Sequence, residues 1–171
     1  MAAEVRRIVT SHYYPLFIAA RNGRTGIVER LLRVEGVDVN RGRPSDGATP
    51  LYVACCYNHE AVVERLLAHD AIDVNQAMTD KYGTTPLLIA CSNNHEAVVE
   101  RLLAHDAIDV NQAMMDDGVT PLIMACAKNH EAVVERLLAH DAIDVNQAKT
   151  DDGITPLLIA CTKNQEAVVE R

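Results

Sequence analysis

An all-α repeat solenoid is the fold this sequence predicts, and three observations predict it. The twenty residues NHEAVVERLLAHDAIDVNQA occur three times unchanged, at 58–77, 94–113 and 129–148, starting 36 and then 35 residues apart. A further copy begins as NQEAVVER at 164–171. Within each period, two short segments carry apolar residues at helical spacing, with turn residues between them. A period of this length marks stacked supersecondary units, each burying its apolar face against its neighbours.

The elements follow in order within the copy DGATPLYVACCYNHEAVVERLLAHDAIDVNQA, which starts at Asp46. Thr49 suits an N-cap, and Pro50 suits the first helical position, where no amide donor is needed. Leu51, Ala54 and Cys55 then fall at i, i+3 and i+4 and make one apolar stripe. Asn58 predicts a left-handed stop, since Asn tolerates positive φ better than most residues. A second helix buries Val62, Val63, Leu66 and Leu67 and leaves Glu60, Glu64 and Arg65 in water. Each helix is only about eight residues, roughly 12 Å, too short to persist alone. Stacking is obligatory.

Composition bounds the function. The chain has five Tyr, one Phe and no Trp, so Leu, Val, Ile, Ala and Cys must build the core. No stretch approaches the roughly 18 apolar residues of a membrane span, and MAAEVRRIVTSHYY lacks a signal-peptide core. Four of the five Cys (Cys55, Cys91, Cys126 and Cys161) recur at the repeat period. That pattern predicts reduced thiols and an intracellular, cytoplasmic protein. Residues 1–45 carry eight Arg against four acids, whereas residues 46–171 carry eight Lys and Arg against twenty acids. An acidic body repels phosphates, so neither nucleic acid nor a membrane is an expected partner.

The run D-G-x-T-P-L-x-x-A, followed by N-H, V-V, L-L and D-V-N, resembles the ankyrin repeat. T-P-L recurs at 49–51, 85–87, 120–122 and 155–157, and a degenerate first copy contains PLFIAARNG at 15–23. The resemblance covers about residues 10 to 171. It implies helix-turn-helix repeats joined by β-hairpin fingers, stacked as one domain over 1–171. The repeats fall near 10–44, 45–79, 80–114 and 115–149, with a partial one at 150–171. The sequence departs from the family in three places. Tyr52, Leu88, Ile123 and Leu158 stand where a His usually follows T-P-L. Asp70-Ala71 and its copies replace the Gly that usually ends the second helix, a Gly kept only at Gly36. Ala71 at positive φ would cost each copy about 1 kcal/mol. Finally, the last repeat stops before its Leu-Leu pair, which predicts a fragment of a longer array and an apolar end able to self-associate end to end.

The copies differ in two places. One is the finger, at Ser45, Ala48, Lys81, Tyr82, Thr84, Val119 and Ile154. The other is the end of the first helix, at Cys56 and Tyr57, Ser92 and Asn93, Ala127 and Lys128, and Thr162 and Lys163. The resemblance places both on the concave face that usually binds partners. Exposed residues drift freely, yet Glu60, Glu64 and Arg65 on the outer face are identical in all three copies. Differences confined to one face therefore predict a binding surface on a rigid scaffold. Tyr57 and Tyr82 are its expected anchors. Asp46, Asp116, Asp117, Asp151 and Asp152 form an acidic edge that would meet a basic patch on a protein partner, with Lys81, Lys128 and Lys163 alongside.

Other chemistry is poorly matched. Asp-Asp-Gly at 116–118 and 151–153 is a tight turn, without the ligand-rich loop a calcium site requires. His59, His95 and His130 begin the second helices, and His69, His105 and His140 end them. Equivalent atoms of stacked repeats lie about 10 Å apart, too far to share one zinc or to form disulfides along the Cys ladder. The first His set is expected to cap helices and bond between repeats, and the second to be solvated. Cys56 is a weak candidate for a reactive thiol. Gly-Arg-Thr-Gly at 23–26 is a turn, and no catalytic triad, phosphate loop, metal set or cofactor motif occurs. Leu-x5-Asp-Val-Asn, ending at Asn75, Asn111 and Asn146, resembles a site hydroxylated by an asparaginyl hydroxylase, although Asn also simply shapes turns. The sequence therefore predicts a non-enzymatic protein-interaction module without cofactors. The alternative is a spacer or regulatory segment of a larger protein whose activity lies beyond residue 171.

Overall fold

The structure, a computed structural model, describes residues 14–163. Among them, nine helices alternate in two layers. The first helices of the repeats are α1 (Pro15–Arg21), α3 (Pro50–Cys56), α5 (Pro86–Ser92), α7 (Pro121–Lys128) and α9 (Pro156–Lys163). The second helices are α2 (Thr25–Leu32), α4 (Glu60–Leu67), α6 (Glu96–Leu103) and α8 (Glu131–Leu138). Each helix packs on its equivalents in neighbouring repeats, and α1 to α8 also pack on their partners within the repeat. One continuous apolar core results, from Leu16 and Phe17 to Ala160. Residues 164–171, on which the expected end-to-end self-association rests, lie outside the described residues.

The local signals operate as read. Thr49, Thr85 and Thr120 are buried, and each Oγ1 accepts the amide three residues on, from Tyr52 (3.0 Å), Leu88 (3.1 Å) and Ile123 (3.2 Å). With the helix start satisfied this way, the position of the family's usual His is free for packing, and Leu88 and Ile123 are each 1% exposed. Asn58, Asn94 and Asn129 hold φ of 57°, 59° and 60°, the left-handed stop expected of them.

Ala71 corrects one expectation. It does not have positive φ, so it carries none of the anticipated strain. Ile72 N–H donates to His69 O at 2.9 Å, just as Val37 N–H donates to Val34 O at 3.1 Å. In the first repeat, Gly36 closes that turn at φ +79°, which suits the third residue of a type II turn. Ala71 closes the same bond with negative φ, as type I geometry allows. His69 assists: its Nδ1 accepts from Ala71 N–H at 3.2 Å, and His105 and His140 do likewise for Ala107 and Ala142. The second His set is thus half-buried turn structure rather than a solvated row.

The fingers are minimal hairpins. No regular strand forms among the described residues. A backbone bond closes each finger, Arg43 N–H to Ala48 O, Met78 to Thr84, Met114 to Val119 and Lys149 to Ile154, and three fingers add a return bond from Gly47, Gly118 or Gly153 to the first residue's carbonyl. Neighbouring fingers join through Thr79 N–H to Asp46 O, Met115 to Tyr82 and Thr150 to Asp117, at 2.8–2.9 Å.

Candidate functional site

Repeat-to-repeat bonding uses much of the twenty-residue block. Asn40, Asn75 and Asn111 each bridge to the next repeat with both ends of the amide. Asn75 Nδ2 donates to Ala107 O at 2.7 Å, while its Oδ1 accepts from Asp109 N–H at 2.9 Å. Asn40 and Asn111 repeat this clamp. Asn146 is exposed, and its backbone amide donates to Asp144. His95 and His130 reach back one repeat, placing Nδ1 2.8 and 2.9 Å from the carbonyls of Cys55 and Cys91. His59 uses Nε2 on Arg21 O at 2.9 Å. These rings bond between repeats as expected, but none caps its own helix with its side chain.

The outer face is also cross-linked. Arg65 meets Glu29 at 2.6 Å, and Arg136 meets Glu100 at 2.9 Å. Arg101 lies more loosely between Glu60 (3.7 Å) and Glu64 (3.9 Å). Residues that looked idle in the sequence thus link successive second helices.

The residues that differ between copies sort into two groups. Ala48 and Val119 are buried finger residues, and Thr84 and Ile154 are half-buried, so these four do not form surface. Ser45, Tyr57, Lys81, Tyr82, Asn93, Asp116, Ala127, Lys128, Asp151, Asp152, Thr162 and Lys163 are exposed. Cys56 and Ser92 are half-buried beside them, and Asn93 Nδ2 donates to Cys56 O at 3.1 Å. Tyr57, half exposed at the end of α3, carries the Arg21 guanidinium 5.8 Å from its ring centroid and stacks on His59.

Electrostatically, the acidic edge divides. Asp46 is half-buried and held by a two-pronged pair with Arg43, and it accepts Ala48 N–H as well. That hydrogen-bonded pairing holds its carboxyl below the usual range. Asp151 and Asp152 share Lys149 at 3.2 Å. Both fingers therefore supply their own cation three residues before the Asp, a spacing visible in the sequence as Arg43-x-x-Asp46 and Lys149-x-x-Asp152. The finger at 114–119 carries Asp116 and Asp117 and no cation. Asp117 Oδ1 accepts Val119 N–H, while Asp116 is exposed.

Burial disfavours the thiolate at four of the five Cys. Burial pushes the Cys55 and Cys91 thiols up strongly and that of Cys126 to about 11. The Cys56 thiol is also raised by burial, the reverse of what a nucleophile needs. All five Cys are free. No group of three or more His, Cys, Asp or Glu side chains among the described residues is placed to hold a metal ion. No helix among them is long and apolar enough to cross a membrane.

One surface residue escaped the sequence reading. Met115 is 73% exposed, the most exposed large apolar side chain among the described residues. Its signal was available, since Thr79 and Thr150 occupy the matching positions of the neighbouring fingers.

A family model described as ankyrin repeats in three copies matches residues 16–114 and 108–171. The chain belongs to the ankyrin-repeat family, whose repeats are typically non-enzymatic protein–protein interaction modules. A comparison with curated proteins gives no match.

Proposed function

We propose that the chain binds a partner protein through the face built from its fingers and the ends of its first helices. One observation carries this reading. Many residues identical in every copy pack or bond between repeats, whereas most of the finger and helix-end residues that differ are exposed. A scaffold held rigid by its repeats presents that side chain set pre-ordered, so binding immobilises little backbone. Tyr57 and Tyr82 are the aromatic anchors, and Lys128 and Lys163 line the face toward the later repeats. The partner's basic patch meets Asp116 and Asp117, since Asp46, Asp151 and Asp152 already have internal cations. The free thiols support action in a reducing compartment.

Affinity capture from an extract of the source cells tests this reading, comparing the wild type with a Tyr57→Ala, Tyr82→Ala, Lys128→Ala variant of unchanged circular dichroism. A protein retained by the wild type and lost by the variant supports the face. Capture of the same proteins by both refutes it.

A further inference from the structure

The second finger is one residue longer than the others, and this accounts for the 36-residue interval between the first two copies. In the fingers at 43–48, 114–119 and 149–154, the Asp before Gly accepts the amide two residues on, from Ala48, Val119 and Ile154. In the finger at 78–84, Asp80 does this work earlier, accepting Tyr82 N–H at 3.1 Å and Gly83 N–H at 3.0 Å. Lys81 and Tyr82 are therefore released from turn-making and stand at the tip.

What they stand beside matters. Tyr82 O accepts Met115 N–H at 2.9 Å, which fixes the third finger against the second. Met115 lies over Gly83: a Cβ built there would come within 2.6 Å of Met115 Cγ. Two exposed apolar side chains, Tyr82 at 40% and Met115 at 73%, thus project from adjoining fingertips. The Lys81 ammonium sits 4.6 Å from the Tyr82 ring centroid and occupies one flank. Across these two fingers, three carboxylates (Asp80, Asp116 and Asp117) outnumber that single ammonium, which leaves the tip net negative.

Resting on the partner-binding reading above, we infer that this tip anchors a protein segment presenting an apolar side chain next to Arg or Lys. The apolar side chain covers Tyr82 and Met115, and the cation answers Asp116. Rigid aromatic and Met surface supplies contact area at small entropic cost, and the flanking carboxylates select the sign of the neighbouring charge.

Selection of a displayed library of random 12-residue peptides on the wild-type protein tests this. Enriched sequences are expected to pair an aromatic or long aliphatic residue with Arg or Lys. Their affinity should fall by about tenfold or more on Tyr82→Ala and on Met115→Thr, the loss expected of a hot-spot residue. Met115→Thr introduces only the residue found at positions 79 and 150, and both side chains are exposed, so folding is preserved. Asp116→Asn should weaken binding and reduce its dependence on salt. Enrichment of acidic peptides, no enrichment, or binding indifferent to both tip variants would overturn the inference. If binding instead falls with Tyr57→Ala and Lys128→Ala alone, the tip is rejected while the finger-side face survives. Indifference to all four substitutions rejects both.

Discussion

The outer helices and the finger side of this array respond to duplication in opposite ways. On the outside, Glu29, Glu100, Arg65, Arg101 and Arg136 recur because each Arg reaches the Glu of the helix before it. On the finger side, Tyr57, Asn93 and Lys128 occupy equivalent places and share no chemistry. The difference teaches that identity between copies here tracks bonding between repeats, and not merely burial. The outer-face ion pairs recur with the repeat, whereas the contacts that Tyr57 and Asn93 make to neighbouring repeats are peculiar to single copies.

Substitutions can break that comparison, beginning with the core. Leu102 is completely buried between repeats. Leu102→Ala should cost about 2–5 kcal/mol, read as a lower urea midpoint. Next comes the Asn clamp. Asn111→Ala removes two inter-repeat bonds, worth about 1 kcal/mol each, and should destabilise more than any single exposed change on the finger side. Smallest is the outer ladder. Arg136 and Glu100 are substantially solvated, so Arg136→Ala should cost well under about 1 kcal/mol, and that difference should vanish in high salt. A large, salt-independent loss would mean that the outer face packs more than it pairs.

Most of the fold was legible from residues whose chemistry is local. Thr-Pro before an apolar stripe fixed the helix starts, and Asn58 with its copies fixed the left-handed stops, because both act within four residues. The first His set was also placed correctly between repeats, helped by the family resemblance. Long-range geometry was not legible. Nothing in Glu29 or Arg65 alone reveals that 36 residues of chain bring them together. Ala71 looked strained because a Gly was missing, whereas the turn reverts to a type that needs no positive φ. The acidic edge looked uniform because Asp recurs near each tip, yet Arg43 balances Asp46, Lys149 offsets one of its finger's two carboxylates, and the third finger has no cation of its own. Met115 was legible only as a departure from the Thr at the matching positions 79 and 150, whereas its exposure depends on surroundings the sequence does not display.

Urea unfolding of two double variants tests the central division most directly. Tyr57→Ala with Lys128→Ala removes two of the differing finger-side residues, and Asn75→Ala with Asn111→Ala removes two recurring clamps. The first pair should leave unfolding free energy within about 0.5 kcal/mol of wild type, as expected for exposed positions outside the core and the Asn clamps. The second should lower it by roughly 2 kcal/mol or more, for the inter-repeat bonds lost. Equal destabilisation by both pairs would contradict the account, because the variable face would then be holding the stack together rather than standing free to bind.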